Sequence, residues 1–587
     1  MRYLILLLLM PLVAVGTATA DNRSFEQMRD IAAAKLNRVA AVKGQINGHV
    51  QPVNLECVAD ADAYTIFTST DGIDGFAIVA KSELVDPLIG YSTEHFDPAD
   101  MPAGLKWYLQ TVSRQLVAIE SGVMKAPCRS AASFIPVENF ITTQWSQDYP
   151  FDRKTPENYP SGCMATALAQ CLNYRQYPPS AEFDATYYVT TKVGKNDTDI
   201  KKTAHVSSTY TWPYQNTYSS FREYSDNIDV LLRDCGYATY MTYSNNSSGT
   251  AGYLAGIALT KFFGYPEECV KYYQLDYFRD VNEWNQIIYD ELAVRSPILY
   301  GAFDPNPKVG GHAFVFSGVD AEGLVYVNWG WRGVANGFYS IELLNPTTNG
   351  TTDHFTDGHV MITGIRTAPL ATDQVQPRIW GYTGDPYTFR WGKETDDKGT
   401  EHVTLYADLP YGFLNFSPSS FNGVFGLFAK DLTDGSEWVI AEELQDRDTI
   451  LAGYGYCGDT DSYKSFYYYY FVDGEQGLKP GHTYRMSFGT KDDREGSWHS
   501  ILCLGGEIVY ELYYTGDPAT STVSEVISPL DDRITATRRT DDGITRVYDL
   551  QGRLVYSVST ERFNLWEVPA RGVLVVRQGE CTKKVVR

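Results

Sequence analysis

Basic side chains are scarce in this sequence of 587 residues: 49 lysines and arginines stand against 72 aspartates and glutamates, which gives a formal net charge of −23. No run of lysine and arginine forms the basic stripe that binds phosphate groups, so a nucleic-acid partner is not expected. The acidic residues are scattered along the chain. We therefore interpret the negative charge as a feature that keeps the protein soluble.

Closely paired cysteines are also missing. The nine cysteines have wide, irregular spacings, and no two of them form a CxxC pair. Because the number is odd, at least one thiol is expected to be free. Cys457 and Cys503 could form a disulfide, and the sequence leaves this open. His354 and His359 have no acidic partner at metal-ligand spacing, so the sequence predicts no metal site and gives no sign of a cofactor.

Long apolar runs are confined to the N-terminus. Arg2 is followed by an apolar run over residues 3–16, and small residues precede Asp21. This order predicts a secretory signal peptide over residues 1–20. The run is shorter than the ~20 residues that a membrane span needs, and no later segment is apolar enough to replace it. We therefore expect a secreted protein, extracellular or attached to the outer cell surface, with no integral membrane segment in the mature chain.

Pattern and composition divide the rest of the chain into several units, as its length leads one to expect. Helical periodicity at residues 25–42 and 105–119, with short buried strands between, predicts an α+β unit. A stretch rich in proline and small residues follows and is suited to proteolytic nicking. Later, short aromatic strands predict a β-sandwich that includes a hairpin turning at Asp434 and Gly435. The expected segments are a signal peptide (1–20), an N-terminal unit (21–125), a linker (126–137), a chemistry-bearing domain (138–368), a β-sandwich (375–520) and a C-terminal β unit (530–587).

The sequence around Cys163 predicts a helix that begins at or beside this cysteine. Proline and glycine end at Gly162, and Met164, Leu168 and Cys171 then recur at helical spacing. Unpaired N–H groups and the dipole at a helix N-terminus favour a thiolate, so the pKa of Cys163 is expected to be lowered. Taken alone, packing is the commoner role of such a cysteine, and it is the role expected of buried Cys171.

A histidine and an asparagine later in the chain favour a catalytic role for Cys163 over a packing role. His312 follows two glycines and opens an apolar strand, as suits a base that faces a cleft. On the next predicted strand, Asn328 could hold the imidazole through its second nitrogen, and Trp329 could exclude water from that hydrogen bond. Cysteine, histidine and asparagine in this order are the parts of a papain-like site.

The chemistry-bearing domain resembles the streptopain family of secreted bacterial cysteine proteases. The resemblance rests on four stretches in the same order: Trp145-Ser146-Gln147, Gly162-Cys163-Met164-Ala165-Thr166-Ala167 with Ala169-Gln170, Gly310-Gly311-His312-Ala313-Phe314-Val315, and Val327-Asn328-Trp329-Gly330-Trp331. It implies a papain-like α+β fold, with Cys163 as nucleophile and His312 as general base. It further implies Gln147 as the side-chain donor to the oxyanion hole, and Asn328 with Trp329 behind the histidine.

The sequence departs from the family pattern at two positions, and the resemblance also extends beyond the chemistry-bearing domain. Arg332 stands where the family usually has glycine, beside the substrate cleft, so specificity does not carry over, whereas Met164 in place of valine is a packing change of little consequence. Residues 60–120 are similar to the propeptide of the same family, which blocks the cleft until it is removed. Residues 547–586 resemble the C-terminal sorting domains of secreted Bacteroidetes proteins.

These features together predict a secreted cysteine endopeptidase made as a zymogen: a papain-like domain preceded by an α+β propeptide and followed by β-sandwich-like domains. Its expected partners are protein or peptide substrates, its own propeptide as inhibitor, and a C-terminal secretion machinery. Two alternatives stay open, namely a surface adhesin or binding protein that uses the papain-like unit as a scaffold, and a thiol transglutaminase or amidase. A scaffold has no use for all the reactive side chains together, so we favour the enzyme.

Overall fold

The structure is a computed structural model. It describes residues 22–42, 53–70, 75–94, 96–124, 126, 134–193, 196–214, 227–278, 281–303, 311–344, 358–371, 373, 379–381, 388–409, 413–415, 417–442, 449–450, 455–456, 466–472, 477–493, 498–503, 506–527, 544–548, 554–559, 573–578 and 581–586. The predictions made for the signal peptide, for residues 127–133 of the linker, for Gly310, for His354 and for Cys457 lie outside these residues.

The helices predicted over residues 25–42 and 105–119 begin and end close to those bounds. The first starts after a reciprocal capping box, in which the backbone N–H of Ser24 donates to Gln27 Oε1 (2.6 Å) and the backbone N–H of Gln27 donates to Ser24 Oγ (3.2 Å). The helix predicted beside Cys163 begins at that residue. The described helices are α1 (Phe25–Val42), α2 (Ala103–Glu120), α3 (Cys163–Arg175), α4 (Ile228–Ala238), α5 (Tyr253–Ile257), which continues as a π-helical turn over Ala258–Phe262, and α6 (Val281–Ala293).

Strands make up most of the remaining regular structure. Those up to residue 363 are β1 (Leu55–Asp60), β2 (Tyr64–Ser69), β3 (Phe76–Ala80), β4 (Leu88–Ser92), β5 (Ser180–Val193), β6 (Asn196–Thr209), β7 (Thr242–Tyr243), β8 (Lys271–Gln274), β9 (Ile298–Phe303), β10 (Gly311–Val319), β11 (Val325–Asn328), β12 (Gly337–Tyr339) and β13 (Val360–Thr363). Those that follow are β14 (Ile379–Gly381), β15 (Thr388–Thr395), β16 (Glu401–Leu409), β17 (Phe413–Asn415), β18 (Phe421–Asp431), β19 (Glu437–Glu442), β20 (Thr449–Ile450), β21 (Gly455–Tyr456), β22 (Phe466–Phe471), β23 (His482–Asp492), β24 (Trp498–Ser500), β25 (Leu502–Cys503), β26 (Gly506–Tyr514), β27 (Thr522–Ile527), β28 (Ile544–Tyr548), β29 (Leu554–Ser559), β30 (Val573–Gln578) and β31 (Cys581–Val586).

A single sheet of ten strands runs through the N-terminal unit and the chemistry-bearing domain, in the order β1-β2-β3-β4-β12-β11-β10-β9-β13-β8. The junction is the antiparallel pair β4/β12, where Tyr91 faces Phe338 and Gly90 faces Tyr339. Glycine is required at 90, because a Cβ there would lie 2.5 Å from the ring of Tyr339. The two units therefore share one sheet.

The helices of the N-terminal unit pack on this sheet at two places. Three apolar residues of α1 (Met28, Ala32 and Leu36) join Ala77 and Val79 of β3 in a small core. In contrast, α2 contributes its apolar stripe to the main core, where it contacts β10. The predicted N-terminal unit thus contacts the strand that carries His312.

The predicted β-sandwich has two packed sheets. One contains the antiparallel hairpin β18/β19, which confirms the hairpin predicted through Asp434 and Gly435, and the other is formed by β15, β16 and β22. Phe389 and Leu405 from the smaller sheet share a core with Phe488 from the larger one. Strand β27 pairs with β26, so the larger sheet continues to Ile527.

Trp380 of β14 belongs to a different core. It is 1% exposed and packs against Tyr277 and Tyr272, with ring centroids 4.6 and 5.6 Å apart, inside the core of the chemistry-bearing domain. Nearby, the Thr260 hydroxyl donates to the carbonyl of Pro418 (2.7 Å). The chemistry-bearing domain and the region of the β-sandwich are therefore in direct contact.

Two further sheets complete the described structure. The long antiparallel hairpin β5/β6, which the sequence did not predict, pairs Ser180 with Thr209 at its base and Val193 with Asn196 at its end. The C-terminal strands form a four-stranded sheet in the order β29-β28-β30-β31. Within the described part of the chain, no helix is both long enough and apolar enough to cross a membrane.

Candidate active site

Cys163 lies at the first position of α3, and the local sequence explains why the helix starts there. Gly162 has a φ of +89°, and a Cβ at this position would lie 2.9 Å from the side chain of Met241. Glycine therefore lets the chain turn into the helix. The first turn is stabilised by the Thr166 hydroxyl, which donates to the carbonyl of Gly162 (3.1 Å). The thiol of Cys163 is free and half-buried.

The expectation of a lowered pKa at Cys163 is wrong for this structure. Burial raises the pKa of the thiol above its ordinary value, although backbone N–H groups of Ala313, Met164 and Cys163 itself oppose the shift. Burial also lowers the pKa of His312. Desolvation penalises the charged form of both groups and here outweighs the helix N-terminus. Both shifts favour the neutral thiol and the neutral imidazole.

His312 is the second residue of β10, as predicted, and faces Ala302 of β9. Alternation along the strand places His312 on the same face as Phe314. The ring of Phe314 packs against the indole of Trp329, with the ring centroids 4.9 Å apart. The Sγ atom of Cys163 accepts a hydrogen bond from the backbone N–H of Ala313 (3.3 Å), so the cysteine and the histidine strand meet. Among the described residues, the ring of His312 makes no hydrogen bond.

Asn328 ends β11 and is completely buried. Its Nδ2 donates to the carbonyl of Thr143 (2.7 Å), and its Oδ1 accepts from the backbone N–H of Gly330 (3.0 Å). In this structure the amide therefore fixes the loop after β11, and its bond to His312 stays a prediction. Trp329 is also buried, and its Nε1 donates to the carbonyl of Ala335 (3.0 Å).

Gln147 lies in a loop next to the start of α3. Its carbonyl accepts from the backbone N–H of Ser161 (2.8 Å) and from the Ser161 hydroxyl (3.2 Å). Ser161 precedes Cys163 by two residues, so these hydrogen bonds connect the predicted oxyanion donor to the start of α3. Gln147 itself is half-buried, and its side chain makes no hydrogen bond within the described residues. Its amide is thus available for another acceptor.

Side chains that sequence reasoning missed surround this site. Trp107 of α2 packs near Phe314 and near the buried His359, at centroid distances of 6.2 and 5.6 Å. The Tyr300 hydroxyl hydrogen-bonds His359 Nδ1 (2.7 Å), and burial lowers the pKa of this histidine to about 3. The two adjacent aromatic residues of α2, Trp107 and Tyr108, were visible in the sequence, but the residues that they contact were not.

A charged cluster between α1 and the turn after β10 was missed as well. The ammonium group of Lys35 lies 3.0 Å from Asp320 and 2.8 Å from Glu322, and the Tyr91 hydroxyl also donates to Asp320 (3.0 Å). Lys35 is buried and sits over the ring of Tyr91, 4.1 Å from its centroid. Nothing in the local sequence indicates that a lysine of an amphipathic helix pairs across 285 positions.

Within the described residues, one group has ligand atoms close enough to hold a metal ion: Asp431, Asp434 and His482 of the β-sandwich lie with these atoms within 4.8 Å of one another. Lys479 already pairs with Asp434 (2.6 Å), and His482 is hydrogen-bonded to Asp431 (2.7 Å). The two carboxylates of the group thus already have hydrogen-bonding partners, and the group lies outside the region around Cys163.

Residues 145–339 form a cysteine-type peptidase domain. They match the family model described as the peptidase C10 family. Among curated proteins, the chain is 29% identical over 301 residues to the thiol protease/hemagglutinin PrtT of Porphyromonas gingivalis, a match that covers 47% of this chain and 34% of PrtT. It is 26% identical over 383 residues to streptopain of Streptococcus pyogenes, which covers 60% of this chain and 93% of streptopain. The chain thus spans about a third of the length of PrtT.

Two solved structures of Prevotella intermedia proteins are also similar. A fragment of prointerpain A is 28% identical, with a TM-score of 0.45, and the match covers 54% of this chain and 100% of the fragment. The active wild-type interpain A cysteine protease is 31% identical, with a TM-score of 0.34, and the match covers 42% of this chain and 99% of that protein.

Proposed function

We propose that this protein is a secreted cysteine endopeptidase that is made as a zymogen and hydrolyses protein substrates through an acyl-enzyme on Cys163. The observation that carries the proposal is the placement of Cys163 at the N-terminus of α3, where its Sγ accepts a hydrogen bond from the backbone N–H of Ala313, the residue after His312. The match of residues 145–339 to a peptidase family supports the same chemistry.

The proposed reaction uses the side chains in sequence. His312 removes the proton of the Cys163 thiol, and the thiolate attacks the scissile carbonyl carbon. The oxyanion accepts hydrogen bonds from the backbone N–H of Cys163 and from the side-chain amide of Gln147. The imidazolium then protonates the leaving amine as the C–N bond breaks, which leaves an acyl-enzyme on Cys163. A water molecule deprotonated by His312 attacks the thioester carbonyl carbon, the C–S bond breaks to release the acid, and the imidazolium returns its proton to the thiolate. Asn328 and Trp329 are proposed to orient and shield the imidazole once it faces the thiol.

The N-terminal unit is proposed to be the propeptide that keeps the enzyme silent. Its α2 lies against Trp329 and Phe314, on the face of the sheet to which strand alternation assigns His312. The raised pKa of Cys163 and the lowered pKa of His312 both favour the neutral thiol and the neutral imidazole, so little thiolate is present at neutral pH in this state. The likeness to streptopain covers 383 residues, more than the 145–339 segment, which supports a family relationship that extends beyond the catalytic domain.

Export and sorting are proposed from the two ends of the chain. Residues 1–20 would direct secretion and be removed. Residues 530–587 would be read by a C-terminal secretion machinery, and the four-stranded sheet within this segment gives them a folded unit to present. Deleting 530–587 should leave the protease active but stop its delivery to the cell surface or medium, which fractionation of cells bearing the truncated gene would measure. Unchanged surface protease would contradict the sorting role.

One experiment tests the proposed activity against the alternatives. The purified precursor is incubated with casein, with and without a thiol-alkylating epoxide, and both proteins are followed on a gel. The Cys163→Ala variant should fold and leave casein intact, whereas Cys171→Ala should keep activity and lose about 1 kcal/mol or more of stability, since Cys171 is fully buried. Casein cleavage by Cys163→Ala would refute the nucleophile assignment. A folded wild-type chain that cleaves no protein even after its N-terminal unit has been removed would favour an adhesin, and casein crosslinking would favour a transglutaminase.

A further inference from the structure

Arg332 connects the loop after Trp329 to the loop that carries Gln147. Its backbone N–H donates to the carbonyl of Trp145 (3.1 Å), and its guanidinium donates to the carboxylate of Asp148 and to the carbonyl of Tyr149 (3.4 Å). One residue therefore holds the chain on both sides of Gln147.

The backbone of Arg332 is in a conformation that suits glycine. Its φ is +55°, in the left-handed region where a Cβ is unfavourable and glycine is not. A long side chain that persists in such a conformation indicates that its contacts offset the strain, and strain of this kind is concentrated at functional sites.

Asp148 is fixed at both of its oxygen atoms. Oδ2 accepts from Arg332, and Oδ1 accepts from the hydroxyl of Ser146, which is completely buried. The Asp148 carbonyl also accepts from the backbone N–H of Phe151 (2.9 Å). The carboxylate thus links the guanidinium of Arg332 to the residue that precedes Gln147.

Gln147 is consequently held from two directions. Ser161 fixes its carbonyl from the side of α3, while the pair formed by Arg332 and Asp148 fixes the backbone that follows it. A hydrogen-bond donor for an oxyanion must be placed before the charge develops, because reorganisation during the reaction lowers its value. Small displacements of such a group are costly, since a misplacement of 1 Å can reduce the rate by ~10²-fold.

We propose that Arg332 is a positioning residue for the oxyanion donor: through its ion pair with Asp148 it holds the side chain of Gln147 in the orientation needed for acyl transfer. This rests on the proposed function, in which Gln147 is that donor. The ion pair is an exposed one, with 46% of the Arg332 side chain and 42% of the Asp148 side chain accessible. Exposed pairs add little to stability, so the effect of losing this one should appear in catalysis and not in folding.

The test compares Arg332→Gly, Arg332→Lys and Asp148→Asn in the full chain, taken through the same maturation as the wild type. Active sites are counted by irreversible alkylation of Cys163, so kcat is expressed per reactive thiol. Arg332→Gly removes the ion pair while relaxing the backbone. We expect its kcat to fall about tenfold with little change in KM, an unchanged alkylation rate and an unchanged or higher melting temperature. Arg332→Lys should recover part of kcat, because the ammonium reaches the carboxylate as a point charge.

Two controls separate positioning from other roles. Lys393→Gln breaks an exposed ion pair of comparable geometry (2.6 Å to Glu401) in the β-sandwich and should leave kcat unchanged. In a Gln147→Ala background, Arg332→Gly should have no further effect, since the group it positions is gone.

Each contrary outcome points to a different error. A wild-type chain without peptidase activity refutes the proposed function itself. A Gln147→Ala variant within about threefold of wild-type kcat shows that another group stabilises the oxyanion, and the positioning role falls with it. If Arg332→Gly is equally harmful in the Gln147→Ala background, or if it alters only KM for acidic peptides, Arg332 acts on the substrate or elsewhere, and the proposal is overturned.

Discussion

Gly104 of α2 lies directly against the indole of Trp329: a Cβ at position 104 would be 2.8 Å from Cε3 of that ring. Trp329 is itself held in place, because its Nε1 donates a hydrogen bond to the Ala335 carbonyl and its ring makes a T-shaped contact with Phe314. The indole has little freedom to move away. This contact between the N-terminal unit and a residue of the proposed active site therefore depends on the absence of a side chain at position 104.

Gly104→Ala should weaken the docking of α2, although alanine in a helix is normally favoured over glycine by up to ~1 kcal/mol. We expect the variant precursor to unfold at a lower urea concentration and to be alkylated faster at Cys163. Lys106→Ala, at an exposed position of the same helix, is the matched control and should behave as the wild type. A Gly104→Ala precursor at least as stable as that control would show that the contact with Trp329 does not hold α2 in place.

Lys35 is the second contact to test. Removing one partner of a buried ion pair leaves the other charge uncompensated, so Lys35→Met should lower the free energy of unfolding of the precursor by about 3 kcal/mol. Arg38→Gln provides the control, because Arg38 also pairs with Glu322 (3.4 Å) but is 70% exposed, and its loss should be within the small range of surface pairs. Urea midpoints of the two variants measure the difference. Equal midpoints would mean that Lys35 is not part of the attachment.

The pH dependence of Cys163 alkylation should differ between precursor and mature enzyme. In the precursor the pKa of the thiol is raised and that of His312 is lowered, so the thiolate forms only above the ordinary cysteine range and no imidazolium assists it near neutrality. Alkylation by iodoacetamide should be slow at pH 7 and should rise as the pH approaches and passes 9. After maturation we expect rapid alkylation from about pH 6, as in a thiolate–imidazolium pair. Identical profiles would refute silencing through ionisation.

Maturation should cut the chain before Phe134. This residue is buried, packs against Tyr289 (4.6 Å) and donates its backbone N–H to the carbonyl of Ala321 (3.0 Å), and Val137 pairs with Val319. A protease needs access to the backbone, and the chain is paired from Phe134 onward, so we expect the cut on the N-terminal side of Phe134, in the stretch that is rich in proline and small residues. N-terminal sequencing of the mature enzyme decides this. A start beyond Phe134 would show that these contacts open during processing.

Gln147→Ala should lower kcat by ~10²–10³-fold, about 2.7–4 kcal/mol, with little change in KM, because the bond to the oxyanion forms fully only in the transition state. Cys163 should still be alkylated at the wild-type rate. Steady-state kinetics with a peptide substrate, at equal numbers of titrated active sites, provide the measurement. The donor assignment fails if kcat stays within about threefold of wild type.

Local sequence patterns predicted local structure well. The bounds of α1, the start of α3 at Cys163 and the hairpin β18/β19 depend on capping, periodicity and turn residues within a few positions. Pairings between distant segments leave no such pattern. The junction of β4 with β12 and the contact of Arg332 with Asp148, 184 positions apart, depend on the packed chain.

The site illustrates the same limit. Residue types and order indicated Cys163 and His312, because the chemistry requires them. The direction of the Cys163 pKa was predicted wrongly, since the helix N-terminus is a local feature whereas desolvation depends on everything packed around the thiol. For Asn328, the backbone partners Thr143 and Gly330 could not be foreseen from strand alternation.

Because Trp380 packs in the core of the chemistry-bearing domain, the segment needed for folding is longer than the segment that carries the proposed catalytic residues. The proposed catalytic side chains all precede residue 330, yet the hydrophobic core that surrounds them includes an indole from β14. Exchanging the β-sandwich for an unrelated module by recombination at residue 374 would leave Tyr277 and Tyr272 facing water. A gene fusion that preserves a working enzyme must therefore inherit the segment up to Gly381, so the smallest transferable unit of this protease is longer than its reactive machinery.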